Sequence, residues 1–422
     1  MTHAVGAQAA PPIVALPNAT AVSTATFGTI VSVRELPGGR LLVNDGRRRQ
    51  ITMLDAKLGT PAVVMDSTAG MSNFYGPQAV VMIPYLGDST LVPSFERQTV
   101  SVIDPHGQVI RALAMPQHIS LGMIKRSATD NTGRIIYMGT PETTRQPANG
   151  GIPPAMADST PLLRADLAKR QVDTVGYFGR PLERTDARRA NGLILSLFRP
   201  SPLQPMDEWT VLSNGSIAVV RGHDYHIDWI RADGARSSSP KMTFDWRQLT
   251  DAEKRAAIDS SRSQFLSSVR NTTFLLSVTD QINWRRELAD VPGKLPANVQ
   301  RVRIDADTSG GMYVRGVSDP VMILPSSPLT VDDVFDYYAP LRAGSVLADL
   351  NDRVWILPTR SNLSKAGELV YDVVSDKGGV VENVRAPLGR YIVGFGRDGT
   401  VYLASGSING GFTLERTTLP AQ

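Results

Sequence analysis

Short apolar and β-branched runs recur along the chain, each introduced by a polar turn. Six share one form: PGGRLLVND (37–45), LGDSTLVPS (86–94), NTGRIIYMG (131–139), SNGSIAVVR (213–221), LNDRVWILP (350–358) and RDGTVYLAS (397–405). Their turn residues are Gly39, Asp88, Gly133, Gly215, Asp352 and Gly399. Most of the intervals between these turns are close to the ~40–50 residues of a four-stranded propeller blade. The two long ones, Gly133 to Gly215 and Gly215 to Asp352, must hold insertions.

Further strands flank each signature. An inner strand precedes it, as in TIVSVREL, QAVVMIPY, EWTVLS, GSVLADL and YIVGFGR. A third strand follows in RQITMLDAKLG (49–59), QTVSVIDPHGQ (98–108), HIDWIRADGAR (226–236) and YDVVSDKGGVV (371–381), and then a fourth. The alternating pattern lets each sheet pack on both of its neighbours. The pattern predicts an all-β chain: a six-bladed β-propeller over 27–419, with seven blades as the alternative if VQRVRIDADTSGGMYVRG (299–316) counts as an incomplete unit. The last unit, 390–419, lacks an outer strand. Residues 1–26 form an N-terminal tail in which IVALPNAT (13–20) is expected to supply that strand and close the ring.

Two insertions interrupt the repeat. Residues 140–161 are Pro/Gly-rich and aperiodic, hence a loop. Residues 240–340 contain a helical segment between blades four and five. Thr250 and Glu253 form a capping box there, and Ile258, Phe265, Leu266 and Val269 share one face.

Composition narrows the classes. The 36 Gly and 29 Pro in 422 residues suit a turn-rich β protein. A net charge of +4, without a basic stripe, does not call for nucleic acid. The chain has no cysteine, so thiolate metal sites and cysteine nucleophiles are excluded. No apolar run is long enough to span a bilayer. The start, MTHAVGAQAAPP, carries Ala7-Gln8-Ala9, the small-x-small pattern of a signal-peptidase site, without the apolar segment that should precede it. Read as a signal-peptide remnant it places the protein in the periplasm or outside the cell. Read otherwise it is an Ala/Pro tail.

The units resemble those of six-bladed propellers of the NHL-repeat and TolB-like type. The run DEWTVLSNGSIAVVRGHDYHIDWIRADG is similar to exported bacterial propeller proteins. Such propellers host lyases, lactonases and plain binders. The resemblance implies that loops at the mouth of the central channel hold the ligand.

That face collects the candidate residues. The stretch GHDYHIDW (222–229) holds two histidines. In the repeat, His226 matches Gln50 and Thr99, and Asp228 matches Thr52, Ser101 and Asp372, so both fill the polar face of a third strand. His223 and Asp224 lie in the turn between strands two and three, where blade one has Arg47 and Arg48. Together with Tyr225 and with Asp207 and Glu208 of the loop entering blade four, they should converge. Carboxylates beside an imidazole suit a cation or acid–base work. Arg47, Arg48, Arg97 and Arg360 supply guanidinium forks on the same face. Each of these charges also reads as a solvated turn residue. No cofactor is predicted. Calcium stays open through IDADTSGG (304–311), whose Asp305, Asp307 and Ser309 alternate like a calcium loop, although Gly316 stands where the bidentate Glu belongs and the letters equally make a β-turn. The expectation is an exported, monomeric propeller that binds a small molecule or protein segment. The alternative is a metal-dependent hydrolase or lyase resembling propeller lactonases, drawing on Glu35, Asp207, Glu208 and Asp349.

Overall fold

The computed structural model describes residues 11–420, apart from 69–72, 77–78, 95–98, 115–126, 140–158, 180–181, 190–193, 201–202, 271–272, 278–283, 287–298, 307–311, 316–320, 325–329 and 377. Six antiparallel sheets form the blades. Blade four comprises Glu208–Val211, Ile217–Arg221, His226–Ile230 and Arg236–Ser238. Blade five comprises Val346–Ala348, Val354–Ile356, Val370–Val374 and Val380–Arg385. The repeat register holds in space. Thr52 faces Val43, Ser101 faces Val92, Asp228 faces Val219 and Asp372 faces Ile356. All six signature turn residues have left-handed backbone: Gly39 (φ 73°), Asp88 (59°), Gly133 (81°), Gly215 (84°), Asp352 (57°) and Gly399 (72°). That conformation explains why only Gly and Asp occupy the position.

Alternation along the second strands builds the ring. In blade four, Ala218 and Val220 pack toward blade five, whereas Ile217 and Val219 pack toward blade three. In blade five, Val354 and Ile356 face blade four and Trp355 faces blade six. Blade one does the same, with Leu41 and Val43 toward blade six and Leu42 toward blade two. Six apolar clusters result, one between each pair of consecutive blades, including six against one. The ring is therefore closed with six blades.

Closure uses the N-terminus, through a different segment from the one expected. Ala21–Phe27 is the outer strand of blade six, pairing with Gly411–Thr418 so that Phe27 stands opposite Phe412. Ile13–Ala15 instead adds a fifth, parallel strand to blade five, with Val14 opposite Val384. Pro17 separates the two. It cannot donate to a ladder, so a single strand through 13–20 is unfavourable, while AVSTATF alternates and buries Ser23 and Phe27.

The unit at 299–316 is not a seventh blade. Val299–Ala306 and Met312–Arg315 form a hairpin in a separate seven-stranded sheet. Residues 307–311, and with them most of the calcium-like motif, lie outside the described residues. That sheet also recruits Leu182–Arg189 and Ile194–Pro200 from between blades three and four, so the long Gly133-to-Gly215 interval holds more than the 140–161 loop assigned to it. The 140–161 insertion lies mostly outside the described residues; it falls between the second and third strands of blade three, Ile135–Met138 and Ser159–Asp166.

The helix spans Asp251–Arg270. Its capping box is formed: Glu253 N–H donates to Thr250 Oγ1 (3.3 Å), and Thr250 N–H donates to Glu253 Oε2 (2.9 Å). The side chains of Phe265, Leu266 and Val269 lie outside the described residues. The base of this insertion is clasped, since Leu249 N–H donates to Asp336 O (2.7 Å) and Tyr338 N–H to Arg247 O (3.1 Å). No described helix is long and apolar enough to cross a membrane.

Candidate binding site between blades four and five

The turn GHDYHIDW is built by close packing. Gly222 runs against the loop entering blade four, where an added Cβ would lie 2.0 Å from Met206 O. Its N–H donates to Asp207 Oδ1 (3.0 Å). Asp207 also accepts from Gly179 N–H (2.6 Å) and pairs with Arg221 (2.5 Å). Arg221 continues to Asp228 (2.7 Å). His226 sits between Asp224 (Nδ1, 2.6 Å) and Asp228 (Nε2, 3.2 Å), and Asp224 pairs outward with Lys241 (3.2 Å). Burial alone would raise the Asp228 carboxyl, but the Ser238 hydroxyl and Arg221 outweigh it and hold it below its ordinary value. Asp224 is likewise held low by His226 and Lys241 against a burial effect of opposite sign. The two carboxylates bind the imidazole from opposite sides and do not converge on a common point. Among the described residues no three of His, Asp and Glu gather as metal-ion ligands.

Of the nine residues singled out in the sequence, the eight described ones have separate partners. Glu208 is buried and accepts Gly344 N–H (3.3 Å) from blade five. The His223 ring meets Phe335 at a tilt, 5.6 Å between centroids. Arg47 and Arg48 donate to the Ile408 and Thr26 carbonyls, tying the blade-one turn to blade six. Arg97 lies outside the described residues. The inner-strand acids Glu35 and Asp349 are engaged by Tyr402 Oη (2.7 Å) and by Arg353 with Trp355 Nε1 (2.7 and 2.9 Å).

Tyr225 and Arg360 lead elsewhere. Tyr225 has φ 53°, matching Arg49 (54°) at the same place in blade one, and is fully buried. Its hydroxyl crosses to blade five and donates to Asp372 Oδ2 (2.5 Å). Asn383 Nδ2 donates to the other oxygen (2.7 Å). Burial raises the Asp372 carboxyl to about 6, although both hydrogen bonds favour the charged form. Asp372 lines a cavity of about 880 Å³ between the blades.

The walls of the cavity come from segment 240–246, the blade-five loop 358–363, Gly378–Val380, and Pro11 and Ile13 of the N-terminal segment. None of its lining residues belongs to an innermost strand, so the cavity stands away from the channel mouth. One wall is aromatic. Phe244 meets Tyr225 at 5.6 Å and Trp246 at 5.0 Å, and Trp246 reaches Tyr337 at 6.4 Å. Arg360 stacks over Tyr338 at 5.4 Å and pairs with Asp245 at 3.3 Å. The cations of the lining are thus paired, Lys241 with Asp224 and Arg360 with Asp245. Asp372, by contrast, has two neutral partners.

Sequence reasoning missed Asp372, Phe244 and Trp246. In the repeat Asp372 shares its position with Asp228, Thr52 and Ser101, so the sequence reads it as an ordinary residue of a third strand's polar face. The aromatics sat in a region set aside as an insertion. Their signal was concentration: FDW (244–246) and FDYY (335–338) in a chain with only 6% aromatic residues.

No protein-family model matches the chain, and no curated protein sequence matches it either. Among solved structures, it is similar to a putative exported protein from Bacteroides fragilis (TM-score 0.44, 8% identity, covering 97% of this chain and 100% of that one). It is also similar to a DUF4221-family protein from Bacteroides vulgatus (0.41, 10%, 96% and 94%). A third is a virginiamycin B lyase from Staphylococcus aureus (0.36, 9%, 94% and 99%). At these scores the likenesses carry no argument, and the six-bladed architecture stands on the strand pairing itself.

Proposed function

We propose that this propeller is a binding protein whose cleft between blades four and five takes a small organic cation. The observation that carries this reading is Asp372: a buried carboxyl, lining a cavity, with no cation beside it. A buried charge without a counter-charge is costly, and a cationic ligand would supply one. The aromatic wall of Phe244 and Trp246 favours the same ligand through its ring faces. The volume falls within the ~300–1,000 Å³ usual for small-molecule sites.

Benzylamine, with benzoate and benzyl alcohol as shape-matched controls, tests the reading by calorimetric titration. Benzylamine is expected to bind, and the controls to bind at least about tenfold more weakly. Asp372→Asn and Trp246→Ala should each reduce benzylamine binding. Affinity should fall as pH drops below about 6, where Asp372 takes up its proton. Equal binding of all three compounds, or an Asp372→Asn isotherm matching wild type, would sink the proposal.

A further inference from the structure

A second cavity, of about 480 Å³, opens on the other side of the blade-five loop. It shares Pro358, Arg360 and Ser361 with the cleft, so that loop is the partition. Its floor is where the segment entering blade five meets the loop between strands two and three. Leu357 N–H donates to Ser345 O (2.8 Å) and Thr359 N–H to Pro340 O (2.9 Å), which fixes the two against each other.

The lining carries two arginines and three serines against a single acid. Ser345 is 7% exposed, its Oγ is buried, and it has no hydrogen-bond partner. Arg360 Nε is also buried and unpartnered. Arg342 lines the cavity and makes no ion pair among the described residues. Ser361 and Ser364 add hydroxyls. Glu368, the one acid of the lining, is engaged by Arg385 (3.4 Å) and by Lys365 N–H (3.1 Å). A buried hydroxyl and a buried guanidinium N–H without acceptors are expensive to keep. An oxyanion in the cavity would offer acceptors to such donors.

We infer that this cavity is an oxyanion-binding site, with Arg342 and Arg360 supplying charge and Ser345 a buried donor. Arginine forks and hydroxyl donors suit a phosphate-type group. The site shares the Arg360 loop with the cation cleft but not the aromatic wall of Phe244 and Trp246.

The test is calorimetric titration of the full chain with inorganic phosphate, at ionic strength held constant with chloride. Wild type is expected to bind at one site and to gain thermal stability with phosphate. Ser345→Ala and Arg342→Gln should each weaken binding by at least about tenfold. Trp246→Ala, in the neighbouring cleft, should leave the isotherm unchanged. Because Ser345→Ala removes a hydroxyl that has no partner, it should melt no lower than wild type in phosphate-free buffer and lose the phosphate-induced rise. The inference is overturned by absence of binding up to ~10 mM phosphate, by isotherms that neither variant alters, or by a Ser345→Ala protein that is less stable without phosphate yet binds it normally.

Discussion

At the scale of single residues, Asp372 is the group whose surroundings and chemistry disagree most. Folding raises its carboxyl from the ordinary 3.8 to about 6, mainly through burial. The folded state therefore holds this proton more tightly than the unfolded chain. Its contribution to stability falls as pH rises from about 4 to about 6 and is constant above. The shift corresponds to roughly 3 kcal/mol at neutral pH. Carboxyls held low, such as Asp130 and Asp228, act in the opposite sense and mask it in any single melting curve. The difference between Asp372→Asn and wild type isolates it. That difference should move in the variant's favour between pH 4 and 6 and then level off, as read from melting temperatures across pH. Gly222→Ala is the steric counterpart at this scale. With Met206 O in the way it should cost several kcal/mol, on the order of a severe overpacking change, measured by denaturant unfolding. The glycine was legible in the sequence as part of a turn. The carbonyl that makes it obligatory was not, because contact between an entering loop and a later turn has no local signature.

At the scale of elements, strands and turns were legible wherever the chain repeats itself. The six turn residues and the third-strand overlay hold to the residue because backbone handedness and strand alternation act over a few positions. The helix start was equally local. Glu253, lowered to about 2 chiefly by Thr250 N–H and Arg247, keeps its cap down to strongly acidic pH. Thr250→Ala should cost about 1 kcal/mol, seen as faster hydrogen exchange at the first helical amides. Elements without the repeat signature were not legible. LERTDARR pairs with ILSLFRP and with a strand more than a hundred residues on, and neither segment carries the turn that marks a blade. The candidate cleft was hidden for a related reason: its aromatic wall belongs to the connection after blade four, not to any repeated strand.

At the scale of the whole molecule, six interfaces of similar construction close the ring, and the one between blades six and one takes its outer strand from the N-terminal segment. Phe27 is 2% exposed within it, packed among Leu41, Leu54, Tyr402 and Leu414. Phe27→Ala should cost about 3–5 kcal/mol and weaken that interface first, which hydrogen exchange in Gly411–Thr418 would report. Leu16 does related work one interface earlier, where it packs with Trp355 and Leu403. Ring closure by the N-terminus was legible because an unpaired outer edge demands a partner. The choice between two adjacent strands was not, since it turns on Pro17 and on which segment finds the better apolar cover.

The pairing of Ala21 with Arg416 and of Phe27 with Phe412 also sets an order of events during synthesis. The closing strand leaves the ribosome before blade one, and its partner only after blade five. Five interfaces can assemble as blades emerge, but the sixth must wait until Gly411–Thr418 has been made. Until then the nascent propeller is an open arc with an exposed edge at each end. Domains generally fold as units during translation, and such edges are where association errors begin. For this molecule the most vulnerable interval is the last one, between completion of blade five and arrival of residue 418.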